Sequence, residues 1–178
     1  MELSEAVSQN LFGFVSALIG AVVGGYFTLV ATDKAIREEN AKENRRDEKE
    51  VQNLLDALGV ELHALWSFHM RRIGALIEEL PAGQPLAIYY PLTQDYFTIY
   101  NSNAVTIGRV RDPVLRESIV ITYNKCKKVV DGFKYNNELL QAHKEQEMVE
   151  YAALIKEDHY ELKGYIEELL GLLKSRQR

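Results

Sequence analysis

Residues 11–31, LFGFVSALIGAVVGGYFTLVA, form a run without a charged side chain, and no comparable run occurs elsewhere in the sequence. With a rise of about 1.5 Å per residue, a helix of this length spans the roughly 30 Å hydrocarbon core of a bilayer. The run therefore predicts a transmembrane helix over residues 11–32. The alternative is a buried core helix of a soluble protein, for which the run is unusually long and apolar.

Charge on the two sides of the run predicts its orientation. Residues 1–10 contain Glu2 and Glu5 and no basic side chain, whereas Lys and Arg are frequent in residues 33–50. Basic residues mark the cytoplasmic side of a span, and a cleaved secretion signal would begin with a basic region. We therefore expect an uncleaved anchor with residues 1–10 as a short external tail. The lone Cys126 agrees with a reducing compartment for the rest of the chain.

Small residues recur every four positions along the run, in two rows that lie side by side on a helix. Small side chains allow helix backbones to approach closely in lipid, and this favours association. We therefore expect a homo-oligomer, with a ring favoured over a dimer. Its packing face comprises Gly13, Ser16, Ala17, Gly20, Ala21, Gly24 and Gly25. The alternative is a monomeric anchor whose glycines make no contact.

The charged segment 33–50 predicts a solvated helical stalk. It contains neither Pro nor Gly, and opposite charges lie four residues apart, as in Asp33 and Arg37. After it, an apolar stripe with spacings of three and four residues predicts a long amphipathic helix. The stripe comprises Val51, Leu54, Leu58, Leu62, Leu65, His69, Ile73, Leu76 and Leu80, and Pro81 and Gly83 follow it.

Two further long helices are predicted after an irregular, tyrosine-rich insert at 81–112. Within the insert we expect short helical turns near 93–101 and 103–109, with Thr93 as an N-cap. Asp112 followed by Pro113 is typical of a helix start. The face of the helix that follows comprises Leu115, Ile119, Tyr123, Cys126, Val130, Phe133 and Leu140, and ends near His143.

The last helix is expected from about Gln146 to Lys174. Its inner face comprises Ala152, Ile155, His159, Leu162, Ile166, Leu169 and Leu173. Long amphipathic helices with short connections form antiparallel bundles. The predicted fold is therefore all-α: one N-terminal transmembrane helix that continues into a cytosolic antiparallel helical bundle at 51–178.

The tyrosine-rich insert is the best candidate for a binding site. Aromatic rings beside amides and guanidinium groups are suited to stacking on a base or anchoring a protein partner. The candidate partner-binding residues are Tyr90, Tyr96, Tyr100, Asn101, Asn103, Arg109 and Arg111. Alternatively, the aromatic rings close one end of the bundle and the asparagines cap turns. We expect a cytosolic protein or RNA as partner, and the net charge of −5 argues against specific DNA binding.

The titratable residues predict no metal centre, no cofactor and no catalytic residue. The four histidines do not match the Glu-x-x-His spacing of di-iron bundles or the HExxH motif of zinc enzymes. One cysteine is too few for a thiolate zinc site. His69 and His159 fall on apolar faces, where a hydrogen-bonded core histidine is the expected role.

A helical nuclease of the HEPN class would need an arginine four to six residues before a histidine. No histidine of this chain has one, and Asn137 and His143 in YNNELLQAH are the candidates for a degenerate version of the motif. Without a cation to stabilise developing charge on a phosphate, we expect no RNase activity.

The plan of the chain resembles a broad set of small bacterial single-pass membrane proteins. The residues concerned are the glycine-rich LIGAVVGGYFT, the segment QDYFTIYNSNAVTIGRVRD and the helix LRESIVITYNKCKKVVDGFKYNNELL. In size and plan it is similar to the membrane accessory protein of type VI-B CRISPR–Cas systems. That family is associated with a divergent HEPN-like cytosolic domain and with a multimeric membrane pore that strengthens antiphage defence.

The resemblance implies a pore-forming accessory or effector in antiviral defence, located in the bacterial inner membrane with lipid as a partner. The basic residues after the span predict the N-terminus outside and the C-terminal domain in the cytoplasm. Two alternatives remain open. One is a non-conducting, membrane-tethered scaffold that docks a cytosolic partner through its helical bundle. The other is a membrane-tethered HEPN-like RNase.

Overall fold

A computed structural model describes the backbone of residues 2–92 and 95–176, and the side chains of residues 20, 21, 24–92 and 95–176. The described residues are helical or irregular and contain no strand, so the all-α class is correct. The chain divides into two compact units, residues 1–49 and residues 50–178. The first helix, α1 (Glu2–His69), extends through the first unit and into the second.

The described residues contradict the predicted transmembrane helix. Nowhere in the described part of the chain is a helix both long enough and apolar enough to cross a membrane. The side chains of residues 11–19, 22 and 23 of the predicted span lie outside the described part of the chain. The charged residues 33–50 follow in the same helix and do not extend the run. The assignment to the inner membrane, with its single-pass orientation, is therefore also wrong.

The predicted oligomerisation face lies partly outside the described residues. The side chains of Gly13, Ser16 and Ala17 belong to the part that is not described. The other members are exposed, namely Gly20, Ala21, Gly24 and Gly25. A Cβ built on any of these three glycines meets nothing within 4 Å. Self-association through this face stays a prediction.

The described part of residues 50–178 contains three long helical segments, the first of which is the end of α1 with the two short helices that continue it. It also contains two short helices in the insert. The end of α1 is followed by a π-helix (Met70–Gly74) and by α2 (Ala75–Glu79). The insert carries α3 (Thr98–Ser102) and α4 (Ala104–Gly108). The long helices α5 (Pro113–Gln141) and α6 (Glu145–Ser175) pack along each other.

The start of α5 confirms the expected helix cap. Asp112 Oδ1 accepts hydrogen bonds from the backbone N–H groups of Val114 at 2.8 Å and Leu115 at 3.2 Å. Pro113 occupies the first turn, where no N–H is needed. The short helix α4 falls inside the turn expected at 103–109, and α3 overlaps the turn expected at 93–101 but ends one residue beyond it. The predicted cap Thr93 lies outside the described residues.

The core of this unit is one cluster of apolar side chains from all three long segments and the insert. Every residue of the face predicted for α6 is buried. On α5, by contrast, Val129 and Leu139 are buried in place of the predicted Val130 and Leu140. The buried face of α5 passes through Asn136 and Asn137, which a purely apolar pattern skips.

The π-helix shifts the packing face of the chain after His69. A π turn holds one residue more than an α turn, because its hydrogen bonds join residues five apart. The inward position therefore falls on Ile77, which is 0% exposed, and Leu76 is 48% exposed. The predicted stripe was wrong at Leu76, since it assumed an uninterrupted α-helix.

Candidate functional site

A cleft lies between the end of α1, the insert, α5 and α6. The cleft has a volume of about 60 Å³, measured as the space that the centre of a water-sized sphere can reach. Its lining is apolar or aromatic apart from His69, Cys126 and two tyrosine hydroxyls. The lining residues are Leu62, Leu65, Trp66, Phe68, His69, Tyr90, Leu92, Tyr96, Phe97, Cys126, Val129, Val130, Phe133, Leu162 and Ile166.

Aromatic contacts hold the walls of the cleft together. The Trp66 ring stacks on His69 with 5.2 Å between centroids, and the His69 ring lies 5.9 Å from that of Phe133. On the insert side, the Tyr90 ring lies 4.9 Å from the same Phe133 ring. These distances are typical of favourable ring pairs. The cleft is therefore bordered by rings whose positions support one another.

A series of contacts between polar side chains leads from His69 to His159, Glu78 and Lys163. Nε2 of His69 lies 3.0 Å from Nδ1 of His159, and Nε2 of His159 lies 3.4 Å from Oε1 of Glu78. Lys163 Nζ donates to the same Glu78 oxygen at 3.0 Å. His159 is fully buried, whereas His69 is partly exposed where it lines the cleft. The π-helix begins directly after His69, and such turns are frequent at functional sites.

Burial and neighbouring charged groups shift the pKa values of His69, His159 and Glu78. Burial, with a contribution from His159, lowers the pKa of His69 to about 4. Burial also lowers the pKa of His159, although Glu78 opposes that shift. The hydrogen bond from Lys163, followed by that from His159, lowers the pKa of the Glu78 carboxyl. At neutral pH the pair is therefore two neutral imidazoles beside a charged carboxylate.

Two asparagines of α5 hold the extended segment that forms one wall of the cleft. Asn137 accepts the backbone N–H of Tyr90 and donates to its C=O, and Asn136 Nδ2 donates to the C=O of Leu86 at 3.0 Å. Oδ1 of Asn136 is buried without a partner among the described residues. This local role explains why amides lie on an otherwise apolar face.

A partly buried carboxylate supports the other end of the insert. Glu61 accepts the backbone N–H groups of Ile99 at 2.8 Å and Tyr100 at 3.3 Å, at the start of α3. It also accepts the hydroxyl of Tyr123 at 2.9 Å. Burial, followed by this contact with Glu61, raises the pKa of Tyr123 well above its usual range. The Glu61 carboxylate therefore links α1, α3 and α5.

Two of the seven predicted partner-binding residues line the cleft, and these are Tyr90 and Tyr96. The Tyr100 ring stacks on Tyr123 with 4.2 Å between centroids and 9° between planes. Asn101 accepts from Lys127, Asn103 donates to the C=O of Ile99, Arg109 pairs with Glu50, and Arg111 is exposed. The seven residues therefore do not form one site.

Asn137 and His143, the candidates for a degenerate HEPN-like motif, lie in different surroundings. Both polar atoms of the Asn137 amide are bonded to the Tyr90 backbone. His143 is exposed, lies beyond the end of α5 and has a positive φ of 55°. No cluster of three or more potential metal-ligating side chains occurs among the described residues.

Sequence reasoning identified His69 and His159 as hydrogen-bonded core histidines but did not predict that they contact each other. It also assigned no role to Trp66, which borders both the cleft and the histidine pair. Both histidines lie on predicted inward faces, so a contact between them could have been predicted from the sequence. The π-helix that begins directly after His69 has no comparable sequence pattern.

No protein-family model, curated protein or solved structure matches this chain. The resemblance to the CRISPR-associated membrane family therefore stays a hypothesis.

Proposed function

We propose that residues 50–178 form a protein-binding module that holds one aromatic side chain of a partner protein in the cleft. The observation that carries the proposal is an aromatic residue on each of three walls: Trp66 from α1, Tyr96 from the insert and Phe133 from α5. Aromatic anchors in desolvated pockets dominate the binding energy of many protein interfaces. Ring pairs add about 0.5–1.5 kcal/mol beyond the area that they bury.

The size of the cleft supports a single side chain as its occupant. One water molecule needs about 10–15 Å³ by the same measure, so 60 Å³ holds several waters or one ring. A helix or an extended segment of a partner would not fit inside. The partner backbone would therefore stay outside, with one residue inserted.

Of the three functions considered from the sequence, all of which included a membrane anchor, the docking scaffold is the one whose binding role does not depend on that anchor. The pore hypothesis depends on a transmembrane helix, and the correction of that helix removes its basis. The RNase alternative depends on Asn137 and His143, and the Asn137 amide is occupied by Tyr90. A docking function needs only the bundle and its cleft, without a membrane anchor.

Fluorescence of Trp66 provides a direct test, because it is the only tryptophan of the chain and lines the cleft. Titration with N-acetyl-phenylalaninamide should change its emission in a saturable way, whereas N-acetyl-alaninamide should not. Val130→Phe, inside the cleft, should weaken binding by about tenfold or more, which corresponds to about 1.4 kcal/mol.

Val120→Phe is the matched control, since Val120 is exposed on the same helix and lies outside the cleft. This variant should bind the phenylalanine amide like the unmodified protein. Equal responses to the alanine and phenylalanine amides would contradict the proposal, and so would unchanged binding in Val130→Phe.

A further inference from the structure

The contacts of His159 determine which of its ring nitrogens carries hydrogen. Glu78 accepts from Lys163 and its pKa is lowered, so it is a charged carboxylate that can only accept. The facing atom, Nε2 of His159, must then carry the hydrogen of the neutral ring. Nδ1 of His159 is left as an acceptor.

The same reasoning extends to His69. Nδ1 of His159 faces Nε2 of His69 at 3.0 Å, so Nε2 of His69 is the donor of this bond. A neutral imidazole carries one hydrogen, and Nδ1 of His69 therefore has a lone pair and no hydrogen. Within the described part of the chain, no hydrogen bond to this atom is present. Through the hydrogen bonds between Glu78 and His159 and between His159 and His69, the Glu78 carboxylate thus leaves Nδ1 of His69 as a hydrogen-bond acceptor.

The surroundings of His69 hold its ring in place at the cleft. Its ring is stacked on Trp66, lies 5.9 Å from Phe133 and is tied to His159. A fixed acceptor beside apolar walls discriminates strongly, because an occupant without a donor leaves it unpaired. Such an arrangement favours a ring that carries an O–H or N–H group.

We propose that Nδ1 of His69 accepts a hydrogen bond from the occupant, so that the cleft selects a tyrosine side chain of the partner protein over phenylalanine. The proposal rests on the proposed function, since it requires a ring in the cleft. Phenol is favoured over the larger indole of tryptophan because the cleft offers about 60 Å³. His69 is then the residue that determines specificity.

Saturation-transfer NMR tests the selection with four ligands, the N-acetyl amides of tyrosine, O-methyltyrosine, phenylalanine and tryptophan, and Trp66 fluorescence tests it with the first three. The tyrosine amide should bind roughly threefold to tenfold more tightly than the phenylalanine or O-methyltyrosine amide, in line with one net hydrogen bond. Equal binding of these three would overturn the selection and leave the proposed function intact. Tighter binding of the tryptophan amide would also overturn it, and binding of none would refute both proposals.

Glu78→Leu provides a sharper variant, because Glu78 does not line the cleft. Glu78→Gln would keep an acceptor oxygen in place, since Lys163 and His159 contact the same Oε1 of Glu78. Glu78→Leu removes that acceptor and leaves Lys163, which can only donate, so Nδ1 of His69 is free to carry the hydrogen and become a donor. The ether oxygen of O-methyltyrosine can accept, so the preference for tyrosine over this amide should fall.

The tautomer itself is measurable by ¹⁵N NMR of the histidine rings without any ligand. The unmodified protein should show hydrogen on Nε2 of both His69 and His159, and Glu78→Leu should show hydrogen on Nδ1 of His69. Glu79→Leu is the matched control, since Glu79 is the exposed neighbouring carboxylate. Hydrogen on Nδ1 of His69 in the unmodified protein would refute the proposal, and so would an unchanged tyrosine preference in Glu78→Leu.

Discussion

Asn137 binds both polar groups of the Tyr90 backbone: its Oδ1 accepts the N–H at 2.9 Å, and its Nδ2 donates to the C=O at 2.6 Å. The side chain takes the place that a neighbouring strand would have in a sheet. Asn136 makes a similar bond to the C=O of Leu86. The amides of α5 therefore fix the extended segment 86–90, which supplies Tyr90 to the cleft.

Removal of the Asn137 amide should destabilise the bundle. In Asn137→Ala the two backbone groups of Tyr90 lose their partner, and an unsatisfied buried group costs about 1–3 kcal/mol. The free energy of unfolding, measured with urea, should fall by that amount. Asn124→Ala, at an exposed position of the same helix, should change it by less than about 0.5 kcal/mol. A similar effect of both substitutions would show that the Tyr90 contact contributes no stability.

Acid should weaken the fold between about pH 6.5 and pH 4. The pKa of His69 is about 4 in the folded protein against an ordinary value of 6.5, so the unfolded chain binds the proton first as the pH falls. The free energy of unfolding should decrease by up to about 1.4 kcal/mol per pH unit from this group. His159 acts in the same direction.

Urea unfolding at several pH values measures this dependence. His69→Gln should reduce the slope, because one of the two shifted groups is removed. His63→Gln changes an exposed histidine of the same helix and should leave the slope as it is. A slope that His69→Gln does not alter would contradict the assignment of the acid sensitivity to the pair.

Loss of the Tyr123 hydroxyl should loosen the contact between α1 and α5. Tyr123→Phe removes a donor to the Glu61 carboxylate, and hydrogen bonds to charged groups contribute about 1.5–3 kcal/mol. Thermal unfolding should show a clear loss, and Glu61→Gln should reduce the effect of the tyrosine substitution because the two share one bond. Tyr135→Phe, at an exposed tyrosine of α5, is the control. Additive losses would argue against the bond.

Substitution by alanine should have different effects on stability at two glycines of the bundle. Gly164 lies within α6, and a Cβ there meets nothing within 4 Å, so Gly164→Ala should stabilise the protein by about 0.5–1 kcal/mol. At Gly74 the added Cβ would lie 2.5 Å from Met70 Sδ and 3.3 Å from Cε1 of buried His159. Gly74→Ala should therefore give no gain in urea unfolding and should alter Trp66 fluorescence. A gain equal to that of Gly164→Ala would contradict close packing at the π-helix.

Local sequence patterns predicted the elements whose structure is determined locally. Asp112 and Pro113 mark the start of α5 because cap and first turn are adjacent in sequence. The buried face of α6 follows directly from its spacing, since that helix is regular throughout. The tyrosines of the insert were expected either to bind a partner or to close the bundle. Tyr100, stacked on Tyr123, follows the second of these alternatives.

Features that depend on other parts of the chain were not predictable in the same way. The burial of Ile77 in place of Leu76 follows from the π-helix, which packing imposes and local propensity does not reveal. The contact between His69 and His159 joins residues ninety positions apart. The transmembrane prediction relied on the length of an uncharged run, about half of whose side chains lie outside the described residues, and the described part of the chain contains no helix that could cross a membrane.

The π-helix has a consequence for how this chain would align with one of a different length. One exposed residue removed there, such as Arg71, would convert the turn to a regular α-turn while His69 and Ile77 kept their present faces. Deletion of one residue between Glu50 and His69 would instead rotate the part of the helix on one side of the deletion by about 100° relative to the other part. The apolar residues of the rotated part would then face away from the bundle. A shorter chain with this packing would therefore carry its one-residue gap at Met70–Gly74.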